Sequence, residues 1–396
     1  MEKQRTVAFI LKRVDCNDGV ASHCESLIRS LKAVGWKVVL ITGAVHCDEG
    51  SVRRLEALKD LSEEWVILDD LKPLIPALNH ITRINELVKK HQICLFHAHG
   101  YTMLVLARIL KITTGVNCVA TFHPSLHGDN PTSLKEANLR PQIIKYLIFL
   151  NLFAPRAFIA LSSDIEKFLM KDLGFNKTKV RKILPGIDPQ YFRPPTLEER
   201  QQVREKFGFK EQDLVCSLVG RLNWNKGHDI LIDAVRKARN AAPEISLKGL
   251  FVGSGAQEEQ IKKYAFANKD DYCSFIFLGY VDDLKEVYWA SDIFTLPSRL
   301  EGFALVVAEA MYCGTVPIRT PGGGALDQIQ EGKTGYTVPF DDAEALSKAI
   351  QKLANQDFRL QMGKQCAEYA SSAFDGELMI EKTVALYYEC SGMKTK

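Results

Sequence analysis

Two cations and two carboxylates carry the clearest chemistry in this chain. Arg221 and Lys226 stand in Gly220-Arg221-Leu222-Asn223-Trp224-Asn225-Lys226-Gly227, directly after a short apolar run. An arginine in a strand-end loop offers a bidentate fork, and a lysine at the next helix start offers a compact point charge. Converging, the two suit a diphosphate; the ordinary alternative is a solvated loop charge followed by a helix-start lysine. Farther on, Glu301 and Glu309 share the segment Ser298-Arg299-Leu300-Glu301-Gly302-Phe303-Ala304-Leu305-Val306-Val307-Ala308-Glu309-Ala310. Glu301 falls in a loop, and Glu309 falls about two turns into the following helix, within an otherwise apolar stretch. An unpaired carboxylate buried in such a run costs several kcal/mol or shifts its pKa, so it needs partners. Glu309 either pairs with a structural arginine or lysine or accepts two hydrogen bonds from a ribose diol. The amides opening that helix, near Phe303, Ala304, Leu305 and Val306, offer donors and the positive end of a dipole to phosphate.

These loops are positioned by short apolar runs that alternate with stretches of helical period. Strand-like runs fall at 7–11, 37–42, 65–68, 93–97, 117–121, 157–161 and 180–184. Pro185, Gly186, Pro189, Pro194 and Pro195 then crowd one short region with the composition of a linker. A second series follows at 214–220, 246–252, 274–278, 293–296 and 316–319, and 376–390 is helical in pattern. Such alternation means parallel sheets with crossover helices. The expected class is α/β: two doubly wound, Rossmann-like domains facing across a cleft. Residues 1–190 form an N-terminal domain and 191–375 a C-terminal domain, with the terminal helix 376–396 packing back onto the first. Ligands of such sheets sit beyond the carboxyl ends of the strands.

Composition agrees with a soluble globular chain of this size. The 396 residues are 46% hydrophobic and 25% charged, with a net charge of +3. That charge is uneven: residues 1–190 hold about 26 basic and about 19 acidic groups, leaving the rest mildly acidic. The basic half could meet an anionic acceptor or an anionic membrane face, or be an ordinary surface. Ten scattered cysteines with no CxxC pair argue against a zinc ribbon and a disulfide framework. No signal peptide or membrane span is legible, so the expectation is a cytoplasmic protein with reduced thiols.

The segments GRLNWNKG, FVGSGAQEEQI, FLGYVDDLKEVYWASDIFTLPSRLEGFALVVAEAM and GGGALDQIQEGKTGY together resemble the retaining glycosyltransferases of family 4, which have the GT-B fold. The likeness runs along nearly the whole second domain, and it implies that residues 191–375 bind the donor while residues 1–190 form the acceptor side. It implies that Arg221 and Lys226 hold the diphosphate of a UDP-, GDP- or ADP-sugar. Glu309 would bind ribose, Glu301 would lie beside the transferred sugar, and backbone groups of Tyr280 and Val281 would read the base. Gly253, Phe303, Ala304 and Leu305 join this donor set. In the first domain Asp18-Gly19-Val20-Ala21-Ser22-His23 resembles the family's glycine-rich loop, placing Gly19 near phosphate or acceptor. Ala120-Thr121-Phe122-His123 resembles the strand end whose histidine faces the donor sugar; read without the family, His123 is an ordinary structural histidine. Ala304 stands where the family has glycine, adding a methyl near the diphosphate, and Asp327 replaces a glutamate.

The reaction this implies is metal-independent transfer of a hexose, with retention, to a glycan, lipid-linked or small-alcohol acceptor. The catalytic set is Glu301, His123, Lys226 and Arg221. A non-catalytic sugar-nucleotide-binding subunit and a nucleotide-sugar epimerase are the competing readings. His97 and His99 look zinc-like in isolation but lack a third ligand, and strand alternation puts them on one face. His99 is a weak candidate for lining the cleft. Gly253-Ser254-Gly255 lacks the lysine of a P-loop. No basic aromatic stripe points to nucleic acid. The apolar run 143–153 reads as a buried crossover helix, with a membrane-surface patch on the N-terminal domain as its alternative.

Overall fold

The computed structural model describes residues 5–15, 19–47, 52–68, 71, 78–123, 155–267, 275–281 and 283–393. Asp18 and the apolar run 143–153 lie outside the described residues. The chain divides into two compact units, Met1–Gly186 with Gly376–Lys396, and Ile187–Asp375.

The first unit holds, among the described residues, a seven-stranded parallel sheet in the order β3-β2-β1-β4-β5-β6-β7. Its strands are β1 (Thr6–Asp15), β2 (Lys37–His46), β3 (Glu64–Ile67), β4 (Ile93–His99), β5 (Asn117–Phe122), β6 (Pro155–Ala160) and β7 (Val180–Lys182). The central strands are buried on both faces because crossover helices cover them, so they read as continuous apolar runs such as Val7-Ala8-Phe9-Ile10. The terminal helix Gly376–Ser391 belongs to this unit. Its Tyr387 and Tyr388 rings meet Trp36 at 5.2 and 5.7 Å, and its Cys390 carbonyl accepts from Asn117 at 2.9 Å.

The second unit holds a six-stranded parallel sheet in the order β10-β9-β8-β11-β12-β13. Its strands are β8 (Leu214–Val219), β9 (Leu247–Val252), β10 (Phe275–Phe277), β11 (Ile293–Leu296), β12 (Val316–Arg319) and β13 (Tyr336–Thr337). Both sheets reverse their strand order once, at β1/β4 and at β8/β11. At such switch points the loops beyond the strand ends diverge and leave a crevice. Those loops here are the segments around Gly19 and Gly100 in the first unit, and around Arg221 and Glu301 in the second.

Two expectations need correcting. β13 went unread, because two residues are too short to show a period. The thiols are not all reduced: Cys47 is disulfide-bonded, to a partner outside the described residues. It emerges one residue past β2, where Asp15 and His46 pair in register and two strand ends lie side by side.

Candidate functional site

The second unit gathers its candidate residues through close backbone packing. A Cβ on Gly253 would sit 2.1 Å from the Gly220 carbonyl, and Gly253 has φ +135, so only glycine lets the β9 loop lie on the β8 loop beside Arg221. The Gly253 amide donates to the Gly279 carbonyl at 2.7 Å, which brings the turn holding Tyr280 and Val281 to the same edge. Lys226 is not at a helix start. It ends a 3-10 turn, Trp224–Lys226, and the helix His228–Ala241 begins after Gly227 in the left-handed region. Gly227 is required because a Cβ there would lie 2.2 Å from the Pro297 carbonyl. Buried His228 closes the turn from below, its Nδ1 3.0 Å from the Asn223 carbonyl. The Lys226 stem then runs beside Gly220, carbons within 3.7 Å of where its Cβ would be.

Lys226 Nζ donates to Glu301 Oε2 at 2.6 Å, and Ser298 Oγ donates to the same oxygen at 3.3 Å. The Glu301 side chain is 13% exposed. Burial alone would raise its carboxyl, but the Lys226 charge and hydrogen bond, then the Arg319 charge and the Ser298 hydroxyl, hold it below the usual carboxylate value. Glu301 is therefore an anion at neutral pH. The two loops are tied by Arg299. Its guanidinium takes both oxygens of Asp229 at 3.0 and 2.6 Å, Asp341 at 2.6 Å and the Trp224 carbonyl at 2.5 Å, while its amide donates to the Asn225 carbonyl at 2.8 Å.

The helix Leu305–Tyr312 opens next to Glu301. Its first internal bond runs from Val307 N–H to the Ala304 carbonyl at 3.1 Å, so the amides of Leu305 and Val306 precede it and face the anion-favouring end of the helix. Ala304 has φ −80, a conformation that needs no glycine, and its methyl is buried, so the departure from glycine is absorbed. Phe303 packs its ring on Phe374 at 5.6 Å. Glu309 lies just over one turn into the helix rather than two. Its Oε2 accepts from the buried Tyr288 hydroxyl at 2.7 Å. Burial, then the Glu309 charge, keeps that phenol protonated far above neutral pH.

The first unit builds a different cluster. His123 follows β5, and its Nε2 lies 3.1 Å from His99 Nδ1. His23, one turn into the helix Gly19–Ala33, sets its ring 5.5 Å from His123. His97 and His99 share one sheet face with centroids 4.2 Å apart. His97 is held by the Tyr387 hydroxyl at 2.5 Å and Thr121 Oγ1 at 2.6 Å, which occupies both ring nitrogens and leaves none for a metal. His99 is buried under Phe9 and beside Cys24 rather than lining an open surface.

Burial pushes His23 down to about 4 and His97 to about 3, and takes His99 and His123 well below the ordinary histidine value. All four are neutral when folded at pH 7. Below pH 6.5 the unfolded chain takes up protons that the folded unit refuses, so stability is complete above 6.5 and falls toward 4. Each histidine can contribute a slope of roughly 1.4 kcal/mol per pH unit in that window. Urea unfolding at pH 7.5 and 5.0 is expected to show this loss, and His23→Gln to reduce it. An equal pH dependence in the variant would show that His23 takes no part.

Four site residues escaped the sequence reading: Tyr288, Arg299, Arg319 and Gln328. Arg319 ends the apolar strand β12 and is 1% exposed. A charge closing a buried strand was the available signal. Gln328 and the ties made by Arg299 had none, because their partners are distant in sequence.

Residues 199–372 match the family described as "Glycosyl transferases group 1", and residues 17–191 match "Glycosyltransferase Family 4". Mannosylfructose-phosphate synthase of Agrobacterium fabrum is 31% identical over 227 residues, 55% of this chain and 49% of that protein. The matched stretch thus spans about half of that relative. A UDP-Gal:alpha-D-GlcNAc-diphosphoundecaprenol alpha-1,3-galactosyltransferase of Escherichia coli is 23% identical over 80% of both chains. In structure, a glycosyltransferase of Rickettsia africae matches with a TM-score of 0.77 at 20% identity, covering 98% of this chain and 99% of its own. Anabaena HepE, solved in complex with UDP, matches at 0.79 and 18%, covering 97% and 100%.

Proposed function

Because the chain belongs to glycosyltransferase family 4 and has its two-domain GT-B fold, we propose that it moves a hexose, with retention, from a nucleoside-diphosphate sugar to an acceptor hydroxyl. The observation that carries this reading is the Lys226–Glu301 ion pair, with the Lys226 stem beside Gly220, the neighbour of Arg221, and Glu301 just ahead of the helix Leu305–Tyr312. Cleaving the anomeric C–O bond leaves the electron pair on the diphosphate. Lys226, Arg221 and the amides of Leu305 and Val306 meet that charge, in a reaction we propose to be metal-independent. Preorganised donors of this kind contribute roughly 3–4 kcal/mol each. Glu301 orients the sugar that moves, and His123 borders it. Glu309, oriented by Tyr288, receives the ribose diol. Tyr280 and Val281 border the base through their backbone, and Gly19 opens the helix on the acceptor side. The acceptor proton passes to the leaving phosphate, so no enzymatic base is required.

A glycan, lipid-linked or small-alcohol acceptor suits the proposal, and the pathway would be glycan, polysaccharide or glycolipid synthesis. We place the reaction in the cytoplasm, with peripheral membrane contact where the acceptor is lipid-linked. Among the described residues no helix is long and apolar enough to cross a membrane. A thermal-shift panel of UDP, GDP, ADP and their sugars tests the donor reading. The true donor at ~100 times its dissociation constant is expected to add about 2.7 kcal/mol of stability. No shift with any of them would remove the proposal, and an inverted anomer seen by NMR would remove retention.

A further inference from the structure

Arg319 and Gln328 are not among the residues assigned to donor binding, yet they join the pieces that are. Arg319, at the end of β12, is buried beneath the Gly322–Gly324 turn. Its Nε donates to the Thr320 carbonyl at 3.1 Å, Nη2 to the Gly323 carbonyl at 3.0 Å, and Nη1 to Gln328 Oε1. A guanidinium can only donate, so it fixes the Gln328 amide with its oxygen inward and its NH2 outward. That NH2 donates to the Ala304 carbonyl at 2.8 Å. Ala304 is the residue from which the helix Leu305–Tyr312 springs.

The same turn lies hard against the Glu301 loop. A Cβ on Gly322 would sit 3.3 Å from Glu301 Cβ, and one on Gly323 would sit 3.0 Å from the carbonyls of Glu301 and Gly302. The Gly323 amide donates to the Glu301 carbonyl at 3.3 Å. One buried cation therefore supports the glycine turn, contributes to keeping Glu301 ionised, and through one amide anchors the start of the helix. Gln328 is fully buried, so neither side chain has water as a substitute partner.

We propose that Arg319 and Gln328 are positioning residues for an anionic nucleoside diphosphate. They hold the Ala304 carbonyl on the Gln328 side, so that the amides ahead of the first helical bond stay aimed at the phosphates. This deepens the donor reading above and rests on it. Gln328 adds a side-chain donor to the Ala304 carbonyl beside the Val307 amide of the helix itself, whereas Arg319 needs only an acceptor at position 328.

Two variants separate positioning from simple support of the fold. Gln328→Glu keeps an acceptor for Arg319 as an ion pair but loses the donor to Ala304. Gln328→Met is neutral and of similar size, and it leaves Arg319 short of an acceptor. Melting temperature and the dissociation constants of UDP, GDP and ADP, by calorimetry, are read for both against wild type. The expected result is that both variants bind the preferred nucleotide about tenfold or more weakly, while the melting temperature falls for Gln328→Met and holds or rises for Gln328→Glu. Wild-type affinity in either variant overturns the proposal: an effect confined to Gln328→Glu is added negative charge alone. Affinity that follows melting temperature across both variants also overturns it, since that is support of the fold. A wild-type protein that binds none of the three nucleotides removes the donor reading instead, and the positioning role with it.

Discussion

Lys226→Ala is expected to lower kcat/KM for sugar transfer by about 10²–10³-fold, with most of the loss in kcat. Lys226 is placed to act on charge that grows during the reaction, because its Nζ already reaches Glu301 and its stem lies beside Gly220 and the Arg221 loop. A group that bound only the ground-state diphosphate would raise KM and leave kcat alone. A second consequence follows from the electrostatics of Glu301. Its carboxyl sits below the usual value despite burial, with Lys226 the largest opposing influence and Arg319 and Ser298 smaller ones. Without Lys226 the burial penalty prevails and the carboxyl rises. An activity that needs the anion then fails as pH drops through the raised pKa, so the acid limb of the pH profile moves to higher pH. Lys226→Met keeps the apolar stem and should show both effects, which separates charge from packing. Turnover within about twofold of wild type would show that the phosphate role is misassigned.

The strands were readable because a parallel sheet covered on both faces demands continuous apolar runs, and runs such as Leu214–Val219 and Ile293–Leu296 are that. Arginine, lysine and glutamate beside glycines at strand ends marked the Arg221 and Glu301 loops as the candidate site from their residue types alone. The geometry between them was not legible. Lys226 looked like the first residue of a helix, and the left-handed Gly227 that ends its turn is dictated by the approach of the Pro297 carbonyl, which is distant in sequence. Lys226 and Glu301 read as two separate ligand groups, whereas they meet at 2.6 Å and Lys226 helps to keep Glu301 ionised. Tyr288 on Glu309 and Gln328 on Ala304 are side-chain contacts between elements, and no periodicity encodes them. His97 looked like half of a metal site only until Tyr387, from the far end of the chain, supplied its partner.

Asp292→Asn is expected to cost the second unit about 3–5 kcal/mol while leaving the activity of the folded protein intact. Asp292 precedes β11 at its amino end, away from the carboxyl ends where the Arg221 and Glu301 loops emerge. Its Oδ1 accepts from Arg200 at 2.8 Å and Arg359 at 3.2 Å, and its Oδ2 from Arg204 at 3.2 Å and the Val215 amide at 2.9 Å. One carboxylate with 5% of its side chain exposed thus joins the helices Leu197–Lys206 and Gln356–Ala373 to β8 and β11. Burial disfavours the Arg200 cation, and the Asp292 charge opposes that penalty. Asparagine keeps the shape but removes the negative charge and turns an NH2 toward donors, leaving three guanidinium groups facing one another with no anion between them. Carbonyls at the end of the helix Leu284–Ala290 and in neighbouring turns still accept from these arginines, which limits the loss to destabilisation rather than failure to fold. Urea unfolding should register the full cost, and kcat/KM measured well below the midpoint should match wild type. A loss under about 1 kcal/mol would mean that those carbonyls, and not Asp292, carry the cluster. Lost activity at unchanged stability would mean that charge at this end of the sheet reaches the donor loops, and the separation of frame from site would fail.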